Sequence, residues 1–113
     1  MIRRAFTMRL KPGGLAGYRE HHDQIWPELV EEIERSGIAQ ITIFENDPLL
    51  VLYSEIEDEA AWDRLWASEV HGRWGAIMNE YMAVDETGAP VSSELREVFH
   101  LDTRARETSR SST

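Results

Sequence analysis

Residues 38–57, IAQITIFENDPLLVLYSEIE, carry the pattern that decides the fold. Both ends of this stretch are rich in β-branched and large apolar residues, which are typical of strands. The sequence ENDP at 45–48 separates them with turn-forming residues. Two strands joined by so short a connection predict an antiparallel hairpin, with strands at 38–44 and 49–57.

The flanking sequence adds a strand at each end of the chain. Residues 2–10, IRRAFTMRL, alternate between apolar and polar side chains, which predicts a half-buried strand. KPGG at 11–14 predicts a turn. After a polar loop at 83–92, SELREVFHL at 93–101 predicts the last strand. The tail at 102–113, DTRARETSRSST, has almost nothing to bury, and we expect it to be disordered.

Two helical regions lie between these strands. The first follows the turn and continues to about Arg35, and Gly37 suits the left-handed position just past its end. The second is divided into two helices. Asp58 can cap a helix through AAWDRLW, and Ser68 can cap another through EVHGRWGAIMNEYM.

The predicted order of elements is therefore β-α-β-β-α-α-β. Helices that cross one face of an antiparallel sheet make an α+β, ferredoxin-like fold, here expected as a single domain over residues 1–101. The opposite face of the sheet then needs cover, which a second copy of the chain would supply. The sequence thus predicts a homodimer of the dimeric α+β barrel type.

Composition and charge exclude several classes of function. The net charge is −9, from 21 acidic and 12 basic residues, so the chain repels phosphate backbones and nucleic acid is not expected as a partner. No apolar run reaches the ~18 residues of a membrane span, and the first residues, MIRRAFTMRLKPGG, lack the apolar core of a signal peptide. The absence of cysteine excludes disulfides and thiolate sites, and it fits a reducing compartment.

The stretch EHHDQIWPELV, residues 20–30, holds the candidate catalytic group. Tyr18, His22 and Trp26 are spaced by four residues, so they share one face of the predicted helix. His22 then points inward between two aromatic residues whose polar tips suit the wall of a wet pocket. The alternative is a core histidine with no catalytic role. His21 lies about 100° around the helix and is expected to face water.

Pro27 disturbs this helix close to His22. Its ring clashes with the carbonyl of Asp23 and it lacks an amide hydrogen, so the helix can kink at this point. Alternatively, a second helix begins at Pro27, because proline is well tolerated in the first turn. The sequence leaves both possibilities open.

These segments resemble the L-rhamnose mutarotase family. The resemblance rests on HHDQIWPELV, MIRRAFTMRL and PVSSELREVFHL, and it runs in register from Met1 to about Leu101. It implies an isomerase of carbohydrate and rhamnose metabolism, an aldose mutarotase. Such an enzyme interconverts the α and β anomers of L-rhamnose or a related 6-deoxyhexose by general acid–base catalysis of pyranose ring opening. The resemblance also implies a cytoplasmic homodimer that uses no metal or organic cofactor.

The resemblance assigns roles to three residues. His22 matches the family's proton donor, Tyr18 matches a sugar-binding tyrosine, and Trp74 matches the first tryptophan of a Trp-Trp pair that lines the sugar site. Two positions depart from the family pattern. Ile41 stands in place of a tyrosine, and Gly75 stands in place of the second tryptophan.

The two departures affect the preferred sugar more than the chemistry. Ile41 and Gly75 are expected to line the pocket, with Trp26 as a further candidate. A bulkier or differently substituted sugar could occupy the space that the missing rings leave. Alternatively, Tyr53 or Tyr81 could fill it.

Other arrangements of the histidines give weaker hypotheses. His71 and His100 could join His22 around a metal, but no close ligand spacing supports such a site. A small oxygenase on a similar dimeric scaffold, accepting a quinol or haem, is one alternative function, with His22 as a base or axial ligand. A sugar-binding member of the family without turnover is another.

Overall fold

The structure, a computed structural model, describes residues 1–104. The larger part of the tail that we expected to be disordered, 105–113, lies outside these residues. The described part of the chain forms, in order, β1 (Ile2–Arg9), α1 (Leu15–Asp23), α2 (Pro27–Ser36), β2 (Ile38–Asn46), β3 (Leu49–Ile56), α3 (Ala61–Trp66), α4 (Glu69–Met78) and β4 (Ser92–Leu95).

The four strands form one antiparallel sheet in the order β2-β3-β1-β4. The predicted hairpin is β2 and β3, in which Ile43 lies opposite Leu52. On the other side of β3, the same Leu52 lies opposite Phe6 of β1. This sheet, packed against helices, confirms the α+β, ferredoxin-like fold.

The helices cover one face of the sheet because of the alternation in β3. Leu50, Leu52 and Ile56 are buried, whereas the alternate residues Val51, Tyr53 and Glu55 are only half-buried. Ser54 shares the buried face, and its hydroxyl oxygen accepts a hydrogen bond from the indole Nε1 of Trp62 at 3.0 Å. This bond ties α3 to the centre of the sheet.

The first helical region is two helices and not one continuous helix to Arg35. α1 ends at Asp23, and α2 begins with Pro27 at a first-turn position, where a missing amide hydrogen removes no helical hydrogen bond. Of the two alternatives for Pro27, the second helix is therefore correct. Ser36 is the last residue of α2, and Gly37 follows with a φ of 95°, in the left-handed conformation expected there.

α3 begins and ends near the predicted points, and α4 begins at the predicted one. Ser68 caps α4, because its hydroxyl oxygen accepts a hydrogen bond from the backbone N–H of His71 at 3.3 Å. The helix ends at Met78, earlier than predicted. The chain then turns, so that Met82 forms an isolated β-bridge with Leu10 and closes the core at that end.

Asp58 does not occupy the cap position predicted for it. Ala60 is the residue before α3, and the Asp58 carboxylate accepts a hydrogen bond from its backbone N–H at 2.9 Å. The other carboxylate oxygen pairs with Arg64 at 2.8 Å. Asp58 therefore stabilises the start of α3 from two residues before the cap position.

The last strand is shorter than the predicted 93–101, because only Ser92–Leu95 pair with β1. Continuing the register by one residue would place Arg96 opposite Arg4, and like charges in directly opposed positions are unfavourable. Strand pairing therefore stops where the charges would meet.

Among the described helices, none combines the length and apolar character needed to cross a membrane.

Candidate active site

A cavity of about 600 Å³ lies between the sheet and the helices, within the described part of the chain. Its size falls in the range of about 300–1,000 Å³ that is typical of small-molecule sites. Side chains from β1, β2, β3 and the four helices α1 to α4 line it, and most of them are apolar. Apart from tryptophans, its polar side chains are Tyr18, His22, Gln40, His71 and Asn79. A mostly apolar pocket with a few polar groups is the usual form of a ligand site.

His22 lies in the last turn of α1 and lines this cavity, as its position on the helix face predicted. Its Nδ1 is 2.7 Å from the backbone carbonyl oxygen of Tyr18. A carbonyl oxygen can only accept, so Nδ1 donates its hydrogen and Nε2 is the nitrogen left for other chemistry. The rings of the two residues also pack with centroids 4.2 Å apart at 32°. Together these contacts fix the orientation of the imidazole.

Burial lowers the pKa of His22 below its ordinary value of 6.5. The hydrogen bond to the Tyr18 carbonyl acts in the opposite direction and raises the pKa, and the neighbouring His21 lowers it further. Because the pKa is lowered overall, the imidazole is mostly neutral at pH 7. In that form Nε2 carries a lone pair that can accept a proton.

Tyr18 is buried in the core, one helical turn before His22, and its ring lines the cavity. Burial raises the pKa of its phenol to about 12, so the hydroxyl keeps its hydrogen at neutral pH. Within residues 1–104 we find no hydrogen bond from this hydroxyl. It is therefore a donor that a bound ligand can use.

Trp74 lies on α4 and forms the wall beside His22, with ring centroids 5.2 Å apart and an interplanar angle of 81°. Trp26 meets Trp74 edge-on at 5.2 Å and 85°. We expected Trp26 to line the pocket, but it is not among the lining residues and packs behind Trp74 instead. The Arg73 guanidinium covers the Trp26 ring at 5.7 Å. Trp26 thus holds Trp74 in place.

Ile41 and Gly75 both line the cavity, as expected. A Cβ added at Gly75 would meet no other atom within 4 Å, so the space beside it is open. Tyr53 does not fill it, because this residue pairs opposite Ala5 on the other face of the sheet. Tyr81 does not fill it either, because its ring lies outside the cavity lining. Neither tyrosine therefore occupies the open space beside Gly75.

His21 is half-buried, so it faces water only in part. Its ring lies 5.3 Å from that of Tyr81, and its Nδ1 is 2.9 Å from the carbonyl oxygen of Gly17. Tyr81 can approach because Gly17 has no side chain: a Cβ there would lie 2.2 Å from Tyr81 Cε1. His21 is absent from the cavity lining, so the adjacent histidines have different surroundings.

The remaining histidines do not gather around His22. His71 lines the cavity from α4, whereas His100 is exposed beyond β4. Among residues 1–104, no group of three or more histidine, aspartate or glutamate side chains is placed to hold a metal ion. The sequence indicates His71 only as a weakly supported candidate for a metal ligand. Its spacing of four residues from Gly75 was the signal that could have indicated a pocket position.

Comparison with known proteins gives consistent matches over nearly the whole chain. A family model described as L-rhamnose mutarotase matches residues 3–101. The L-rhamnose mutarotase of Lachnoclostridium phytofermentans is 39% identical over 104 residues, which cover 90% of this chain and 100% of that protein. The L-rhamnose mutarotase of Tolumonas auensis is 40% identical over 103 residues, which cover 89% of this chain and 99% of that protein. A crystal structure of L-rhamnose mutarotase from Formosa agariphila superposes with a TM-score of 0.79 at 31% sequence identity. The superposition covers 90% of this chain and 100% of that chain.

Proposed function

The chain belongs to the L-rhamnose mutarotase family, and we propose that it is an isomerase that interconverts the α and β anomers of L-rhamnose or a related 6-deoxyhexose. The observation that carries the assignment of residues is the oriented His22 at the wall of a cavity large enough for a monosaccharide. The oxygenase and the sugar-binding protein without turnover are not favoured, because relatives named as mutarotases match almost the full length.

Mutarotation needs the reversible cleavage of one ring bond, the accompanying proton transfers and the rotation of one further bond. The bond between C1 and the ring oxygen breaks, the anomeric hydroxyl loses its proton, and the ring oxygen gains one. The resulting aldehyde rotates about the C1–C2 bond, and the ring closes on the opposite face of the carbonyl with the reverse transfers. Because both oxygens are bonded to C1, a single nitrogen placed beside C1 can serve both in turn.

His22 is the group that makes these transfers. Its neutral Nε2 takes the proton of the anomeric hydroxyl, and the imidazolium that forms gives a proton to the ring oxygen. The Tyr18 carbonyl, which accepts from Nδ1, stabilises the positive charge in the intermediate stage. General acid–base catalysis of this kind typically accelerates a reaction by about 10²–10⁴-fold.

Tyr18 and Trp74 position the sugar. The Tyr18 hydroxyl donates to a sugar oxygen one helical turn from the imidazole, about 6 Å along the helix axis. The Trp74 ring, which stands almost perpendicular to that of His22, offers an apolar surface to the C–H groups of the pyranose. The sugar is thereby held with C1 at the imidazole.

A homodimer is the second part of the proposal. Phe44 of β2 lies opposite Val51 of β3 on the face of the sheet away from the helices, and its side chain is 62% exposed. Beyond β4, Val98 and Phe99 are also largely exposed. Exposed apolar side chains of this size on a small domain favour association with a second copy. Sedimentation velocity should give twice the 13.0 kDa mass of the chain. A single 13.0 kDa species at micromolar concentration would contradict the dimer.

The cytoplasm is the location that we propose for this reaction. The family resemblance implies it, and the absence of cysteine from the sequence fits a reducing compartment.

Saturation transfer between the two anomeric protons of L-rhamnose, followed by NMR, tests the function directly. The protein should accelerate the exchange above the spontaneous rate, and His22→Ala should reduce the acceleration by about 10²-fold or more. His21→Ala is the matched control, because His21 makes the same kind of bond to a backbone carbonyl but does not line the cavity. If His22→Ala stays as active as His21→Ala, the assignment of the catalytic residue is wrong.

A further inference from the structure

The face of α4 that borders the cavity has an opening in its middle. His71, Gly75 and Asn79 follow one another at intervals of four residues, so they form one row along the helix, and all three line the cavity. Gly75 has no side chain, and neither there nor at Gly72 would a Cβ meet another atom within 4 Å. Open space therefore lies between two polar side chains.

His71 bounds this space on one side. Its ring packs against Trp66, with centroids 4.6 Å apart. No hydrogen bond to its ring nitrogens is found within residues 1–104, although the side chain is half-buried. Burial lowers the pKa of His71, so the ring is mostly neutral at pH 7 and carries one donor and one acceptor nitrogen. A hydroxyl group, which both donates and accepts, complements such a ring.

Asn79 bounds the space on the other side. Its Nδ2 donates to the carbonyl oxygen of Gly88 at 2.9 Å, and this bond fixes which way the amide faces, because a carbonyl only accepts. Its Oδ1 is buried and finds no donor within the described residues. Gly88 also lines the cavity, so the hydrogen bond from Asn79 fixes the loop before β4 at the border of the opening.

We propose that the opening over Gly75 is a second hydroxyl-binding pocket, so that the protein also accepts aldoses with a hydroxymethyl group where a 6-deoxyhexose has a methyl group. His71 is the specificity-determining residue that binds the additional hydroxyl. This inference rests on the proposed mutarotase function, and it names the substrate class that the open space beside Gly75 fits. L-mannose is the direct probe, because it is L-rhamnose with one hydroxyl added at C6.

The two sugars can be compared in the same saturation-transfer experiment. The wild-type protein should accelerate both. His71→Phe keeps an aromatic ring beside Trp66 but loses the hydrogen bond, so kcat/KM for L-mannose should fall by about tenfold while that for L-rhamnose changes by less than about twofold. Gly75→Trp fills the opening and should reduce L-mannose turnover by about 100-fold, because a bulky ring then occupies the site of the hydroxymethyl group.

Gly75→Ala is the control for folding and for the helix itself. A methyl group there has room, so circular dichroism should show unchanged helix content. Acceleration of L-rhamnose without acceleration of L-mannose by the wild type would overturn the inference and leave the mutarotase function intact. Equal losses for both sugars in His71→Phe would also overturn it, since His71 would then bind a feature that the sugars share. Acceleration of neither sugar would overturn the proposed function together with the inference.

Discussion

Gly75 lies inside α4, at a position where glycine destabilises a helix and where the structure shows no steric reason for it. Glycine in a helix interior is less favourable than alanine by about 0.8–1.0 kcal/mol, because its backbone loses more freedom on folding. A Cβ at this position meets nothing within 4 Å, so alanine adds no strain. We therefore expect Gly75→Ala to raise the free energy of unfolding by about 1 kcal/mol.

Gly17→Ala is the matched control for this prediction. It is the same substitution in another helix, α1, but there the new methyl group would lie 2.2 Å from Tyr81 Cε1. Overfilling a packed site typically destabilises by about 1–3 kcal/mol, which offsets or exceeds the helix gain. Gly75→Ala should thus be more stable than Gly17→Ala by about 1–3 kcal/mol.

Thermal unfolding followed by circular dichroism measures both effects. For a domain of this size, 1 kcal/mol corresponds to about 4–8 °C in Tm, so Gly75→Ala should melt about 3–8 °C above the wild type. All proteins must be compared at one concentration, because the proposed dimer would make Tm depend on it. A lower Tm for Gly75→Ala than for the wild type would show that Gly75 has close neighbours, and the open space beside it would then not exist.

Three further changes probe the site and the core. The kcat/KM for anomer exchange should rise with pH through a pKa below 6.5 and then stay level, because the neutral form of His22 is the one that accepts the proton. A kcat/KM that falls with rising pH would mean that the imidazolium starts the reaction. Tyr18→Phe should lower kcat/KM by about tenfold through the loss of one hydrogen bond, with the Tm little changed, and an undiminished rate would remove Tyr18 from sugar binding. Ser54→Ala should reduce stability by about 1–3 kcal/mol in urea unfolding, because the buried Trp62 indole loses its acceptor; an unchanged midpoint would show that another group takes its place.

Most of the fold could be predicted from local patterns. The alternation in 2–10 and the β-branched runs in 38–57 identified three strands, because a period of two is visible in the sequence itself. The fourth strand was predicted too long, because its end is not set by a pattern within its own sequence. Residues 93–101 have the composition of a strand, but strand formation depends on the partner, and the charges of Arg4 and Arg96 that limit the pairing are distant in sequence.

The site was predictable where one helix supplies both members of a contact. The spacing of Tyr18 and His22 by four residues placed both on the cavity wall. The surroundings of His71 and His21 were not predictable in the same way, since they depend on Trp66 of α3 and on Tyr81 beyond α4. Such contacts between elements are set by packing, which periodicity within one element does not reveal.

The break at Pro27 explains why the expectation for Trp26 differs from its observed position. In one continuous helix, Trp26 would follow His22 at four residues and share its face towards the cavity. Because α1 ends at Asp23 and α2 begins at Pro27, Trp26 becomes the residue before a helix, with an extended backbone at φ −65° and ψ 132°. Its side chain then packs behind Trp74, and Trp74 in turn contacts His22. The helix break at Pro27 thus keeps the Trp26 side chain out of the cavity and places it against Trp74, the residue that contacts the His22 ring.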